Sequence, residues 1–82
     1  MDTVIREEIV VITAGWVVMG MVEEKADRVL ITEASVVRSW GTTAGLGEIA
    51  LNGPTPNTVL DPAGVVECYK EAVIMRIPCS YR

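Results

Sequence analysis

The 82-residue chain is long enough for one domain, spanning residues 1–82, whose core sits near the lower limit of independent stability. Its 7 Lys and Arg against 11 Asp and Glu give a net charge of -4, which opposes non-specific binding to long nucleic acids. The absence of histidine removes the commonest general base near neutral pH and the commonest metal ligand.

Half the residues are hydrophobic and only 22% are charged, which leaves much apolar surface for so small a chain to cover, so a homo-oligomer is expected. The first ten residues, MDTVIREEIV, lack the basic region and cleavage signal of a secretory leader, and a cytoplasmic location follows as an expectation. Ile9 to Val22 is weakly polar but shorter than the ~20 residues that a membrane helix requires. Cys68 and Cys79 form neither a CxxC redox motif nor half of a zinc site. Both are expected as reduced, buried thiols, and neither a metal nor a cofactor is expected.

The β-branched run IREEIVVIT leads through Ala14-Gly15 into WVVMGMVEEK, the pattern of a hairpin. Both faces of the second strand are apolar: Trp16, Val18, Gly20 and Val22 point one way, and Val17, Met19 and Met21 the other. One face is expected to fill a barrel and the other a subunit interface. Gly20 in mid-strand marks a bend or a close backbone approach. After an Ala26-Asp27 turn, the third strand runs from Arg28 to about Trp40, with a bulge or bend at Glu33-Ala34-Ser35. Val36, Arg38 and Trp40 then share one face, and Val37 and Ser39 the other. An Asp61-Pro62-Ala63-Gly64 turn precedes a fourth strand, VVECY, and Tyr69-Lys70-Glu71 turns into a fifth, AVIMRIP.

Between the third and fourth strands lies RSWGTTAGLGEIALNGPTPNTVLD, Arg38 to Asp61, where small, polar and conformationally special residues crowd together. Within it GLGEIAL reads as a short helix, with Gly45 or Thr43 near its N-cap, Glu48 in its first turn and Asn52-Gly53 ending it. Five strands with this insertion predict a mainly β protein, a small SH3-like or Sm-like barrel, with an OB-fold as the chief competitor. The helix either plugs a barrel end or offers its first-turn amides to an anion beside Arg38. The glycines fit neither a Walker loop nor a dinucleotide fingerprint. Trp40 is expected in the core, although beside an arginine and threonines it could instead stack a ring. Trp16, opening a strand, is expected in the core or at an interface. Pro54-Thr55-Pro56-Asn57-Thr58 sets a stiff path. The candidate ligand-binding residues are therefore Arg38, Trp40, Gly41, Thr42, Thr43, Gly45, Asn57 and Thr58.

The block also resembles a family of small phage and prophage proteins. The resemblance rests on Arg38-Ser39-Trp40-Gly41-Thr42-Thr43, Gly45-Leu46-Gly47-Glu48-Ile49-Ala50, Gly53-Pro54-Thr55 and Thr58-Val59-Leu60-Asp61-Pro62, with Ala34-Ser35-Val36-Val37 matching in pattern. It implies a phage origin and, by association, action against host defence. No nucleophile is paired with a base at a recognisable spacing, and Glu33, Glu48 and Asp61 are too scattered for an acid/base pair, so no enzyme is expected. Two functions stay open. One is a binding protein that sequesters a small anionic, nucleotide-type signalling ligand in an oligomer. The other is a module that binds a host or phage protein, its Arg38–Asp61 block serving assembly.

Overall fold

A computed structural model describes residues 5–81. The part of the amino-terminal reading that falls on residues 1–4 lies outside it. Five strands, β1 (Ile5–Ile12), β2 (Trp16–Glu24), β3 (Arg28–Ser39), β4 (Val59–Tyr69) and β5 (Val73–Pro78), form one antiparallel sheet in the order β4-β3-β2-β1-β5. One α-helix among the described residues, α1 (Leu46–Asn52), lies between β3 and β4, as its Gly45 and Asn52-Gly53 boundaries predict. Short 3-10 turns at Thr13–Gly15 and Lys70–Ala72 join β1 to β2 and β4 to β5. β4 and β5 are the edges of the sheet, so among the described residues no ladder closes it into a barrel.

The alternation read in β2 is realised on two cores. On one face Val10, Val18, Val22, Val29, Ile31 and Ala34 pack together, flanked by Ile12, Val36, Val66, Cys68 and Val73. On the other, Ile9, Val17, Met19 and Val37 meet Leu46, Ile49 and Ala50 of α1, flanked by Leu60, Ile77, Cys79 and Tyr81. The second face is thus covered by α1 within the chain, whereas one face of β2 was expected to be left for a subunit interface. The physical reason is that α1 is amphipathic and has nowhere else to bury Leu46, Ile49 and Ala50. Each large side chain so buried contributes about 1.5–3 kcal/mol. Cys68 and Cys79, expected as buried thiols, are half-buried, and no disulfide joins them.

A bulge lets the two cores coexist. Met19 pairs with Ser35 and Met21 with Thr32, so β3 carries one extra residue opposite Gly20. Glu33 takes a φ of 50° there. The extra residue shifts the alternation, so Val29 and Ile31 before it share a face with Ala34 and Val36 after it. A Cβ on Gly20 would come within 2.7 Å of both Ile31 Cγ2 and the Thr32 carbonyl oxygen, so the close approach requires glycine.

The fourth strand begins earlier than its sequence suggests. Asp61, Pro62 and Gly64, expected as a turn, lie inside β4 opposite Val36, Ser35 and Ala34. Proline is accommodated because β4 is an edge strand, and Gly64 takes a φ of 72° where the register shifts around the β3 bulge.

The carboxy-terminal segment straps the helix to the sheet. The Cys79 N–H donates to the Glu7 carbonyl (2.9 Å), the Ser80 N–H to the Ala50 carbonyl (2.7 Å), and the Tyr81 hydroxyl to the Glu7 carboxylate (2.8 Å). Gly53 underlies the Tyr81 ring, where a Cβ would approach to 3.3 Å.

Candidate functional site

The loop from Trp40 to Thr58 is held by hydroxyls that bond inward. Thr58 Oγ1 donates to the Trp40 carbonyl (2.6 Å) and accepts from the Thr55 N–H (2.9 Å). Thr55 Oγ1 donates to the Gly41 carbonyl (2.8 Å) and accepts from the Asn57 N–H (3.1 Å). Gly41, at a φ of 62°, lies so close to the Asn57–Thr58 backbone that a Cβ would sit 2.3 Å from the Asn57 carbonyl. Two passages of chain are thereby clamped together, and the stiff proline path supplies one of them.

At the start of α1, Thr42 Oγ1 donates to the Gly45 carbonyl (2.8 Å). The Glu48 carboxylate accepts from the Ala44 N–H (3.1 Å) and the Thr43 hydroxyl (3.3 Å). The Glu48 carboxylate of the helix's own first turn thus bonds back to the loop just before the N-cap, Gly45, and sets a negative charge at the helix end considered for an anion.

Trp40 is not a core residue. It stands just past the end of β3, is 45% exposed, and its ring lies over Gly45, 3.8 Å from where a Cβ would be. Trp16 is more exposed still, at 60%, because it opens β2 immediately after the tight turn that holds Ala14 and Gly15 at positive φ. Nothing in the local sequence separates an exposed strand-opening tryptophan from a buried one.

Arg38 stands apart from the loop. Its Nε and Nη2 donate to the two carboxylate oxygens of Asp61, on β4, at 2.9 and 3.3 Å. The arginine side chain remains 68% exposed. Both residues line an open groove of about 530 Å³, together with Ala14, Gly15, Trp16, Val17, Val36 and Val37. Of the eight candidate residues only Arg38 lines it; Trp40, Gly41, Thr42, Thr43, Gly45, Asn57 and Thr58 belong to the clamped loop. Trp16 is the groove residue that the sequence left unassigned to a site.

A second charged cluster serves the fold. Glu8 is 1% exposed and accepts from Arg76 Nε (2.7 Å), Arg76 Nη2 (3.1 Å) and Arg6 Nε (2.8 Å). Burial pushes the Glu8 carboxyl up, but hydrogen bonds from Arg76 and then Arg6 outweigh it, and its pKa lies below the ordinary value. Arg76 Nη1 and Lys70 Nζ also reach Glu24, at 2.8 and 3.0 Å. Hydrogen bonds from Lys70 and then Arg76 lower the pKa of Glu24. Burial pushes the Cys68 thiol up. Among the described residues, no three His, Cys, Asp or Glu side chains are grouped to hold a metal ion, and no helix is long and apolar enough to cross a membrane.

Comparison of the chain with protein-family models, curated proteins and solved structures finds no match in any of the three.

Proposed function

We propose that the protein is a non-enzymatic, phage-encoded binding module that assembles with copies of itself and sequesters a small anionic, nucleotide-type ligand in the host cytoplasm. The observation that carries this reading is the open groove in which an exposed arginine and an exposed tryptophan stand together. Its volume is within the range typical of small-molecule sites, roughly 300–1,000 Å³. The Arg38–Asp61 pair is solvated, and such pairs contribute about 0–1 kcal/mol, so a ligand anion can share the guanidinium at little cost. The strand order, with β5 returned beside β1, supports an SH3-like or Sm-like barrel left open between β4 and β5. Sequestration of a signal used in host defence rests on the resemblance of the Arg38–Asp61 block to phage proteins.

Thermal-shift screening against mononucleotides, cyclic nucleotides and ADP-ribose derivatives tests the reading. A ligand at 100 times its Kd adds about 2.7 kcal/mol of stability. No shift with any nucleotide, joined to capture of a specific host or phage protein, would replace it with the second reading, a protein-interaction module. That alternative is favoured by Val65 and Tyr69 on β4 and Ile74 and Met75 on β5, all exposed on the edge strands.

A further inference from the structure

The geometry points to the groove between the β1–β2 turn and the Arg38–Asp61 pair as the ligand site, with Trp16 as its stacking platform. We infer that it takes a planar aromatic molecule bearing a single anionic group, of the nucleoside-monophosphate class. The inference rests on the binding reading above and moves the site from the clamped loop to the other side of Arg38.

Three features of the groove select this chemistry. Trp16 offers a largely exposed indole beside the half-buried Val36, a surface suited to a flat ring rather than a flexible chain, while the side chains of Val17 and Val37, also in the lining, are buried in the core under α1. Gly15, next to it, faces open space, since a Cβ there would meet nothing within 4 Å, so a ring can lie over the turn without displacing protein. Arg38 is oriented by Asp61, which accepts from Nε and Nη2, while Nη1 has no hydrogen-bond partner among the described residues. A guanidinium held along one edge donates from the other to a phosphate or carboxylate oxygen.

Charge sets the upper limit on the ligand. Among the described residues Arg38 is the only cation lining the groove, Asp61 sits beside it, and the chain carries a net charge of -4. One anionic group is matched by Arg38, whereas a triphosphate would place its further charges against Asp61.

The test uses the full chain carrying Trp40→Phe, which leaves Trp16 as the only tryptophan. The Trp40 ring is half-exposed and the loop clamp uses its backbone carbonyl, so the variant keeps the fold. AMP and GMP are titrated while Trp16 emission is followed, with adenosine, ribose 5-phosphate and ATP as comparisons. The expected result is quenching by the monophosphates at lower concentration than by adenosine, ribose 5-phosphate or ATP. By calorimetry, Trp16→Ala and Arg38→Gln should each weaken binding about 10- to 100-fold with the melting temperature unchanged. Monophosphate binding that leaves Trp16 emission unmoved and survives Trp16→Ala overturns the groove assignment while the binding reading stands. Tighter binding of ATP overturns the limit to one anionic group; no binding of AMP, GMP or ATP up to millimolar concentration overturns the groove inference, and the binding reading falls with it only if the cyclic nucleotides and ADP-ribose derivatives also give no thermal shift.

Discussion

Gly41 is the residue on which the clamped loop depends. Alanine there would meet the Asn57–Thr58 backbone and a left-handed φ together, so Gly41→Ala should cost about 2–4 kcal/mol in chemical denaturation. Gly47→Ala is the matched control: a Cβ meets nothing within 4 Å, and the helical position should gain about 0.5–1 kcal/mol. Equal effects of the two substitutions would sink the clamp. The buried Glu8 supplies a pH dependence. Its folded pKa lies below the unfolded value of about 4.5, so the stability it contributes is complete above that value and is lost as pH falls through the folded one. Stability measured from pH 6 downward should therefore decline through this window, and Glu8→Gln should flatten the decline. Arg76→Met, which removes two of the three hydrogen bonds to this buried carboxylate, should cost about 3 kcal/mol, more than Arg6→Met, since Arg6 is largely solvated. The Glu8–Arg76 partnership was not legible in the sequence because 68 positions separate the two residues.

At the level of elements, α1 was legible and its role was not. Glycines at both ends and Leu46, Ile49 and Ala50 on one face mark a helix, and the structure has one from Leu46 to Asn52. Its place on the β1 and β5 face follows from long-range packing, which periodicity within seven residues does not encode. Ile49 is fully buried at this contact, so Ile49→Ala should cost about 2–5 kcal/mol by equilibrium unfolding. The carboxy-terminal strap should loosen with it, read as faster amide exchange at Cys79 and Ser80. A loss below 1 kcal/mol would mean that α1 contributes little to the fold. The start of β4 was missed for a related reason. Asp-Pro-Ala-Gly carries every local mark of a turn, and only its position on a sheet edge beside the β3 bulge lets it pair as strand. Of the candidate site, Arg38 was legible from its neighbours; Trp16 was not, because strand-opening aromatics are buried or exposed according to what the fold brings beside them.

For the whole molecule, covering the second apolar face inside the chain changes where the proposed assembly would occur. The remaining exposed apolar side chains include Val65 and Tyr69 on one edge strand and Ile74 and Met75 on the other. Edges of this kind pair readily with another chain unless charge or proline blunts them. Light scattering after size exclusion should therefore show an oligomer, and the double variant Val65→Lys/Met75→Lys should shift it to monomer without unfolding. A wild-type monomer at every concentration would remove assembly from the proposed function. The sequence by itself determined five strands, two apolar faces on the second of them, a bulge or bend at Glu33-Ala34-Ser35, and a helix between the third and fourth strands. Those features follow from local alternation and backbone preference, which neighbouring residues carry among themselves. Only the tertiary structure decided that α1 covers the second face, that the sheet stays open at β4 and β5, and that Trp16 shares a groove with Arg38 and Asp61. Each of these depends on contacts between distant segments, whose partners are chosen by packing and pairing across the folded sheet rather than by the residues beside them.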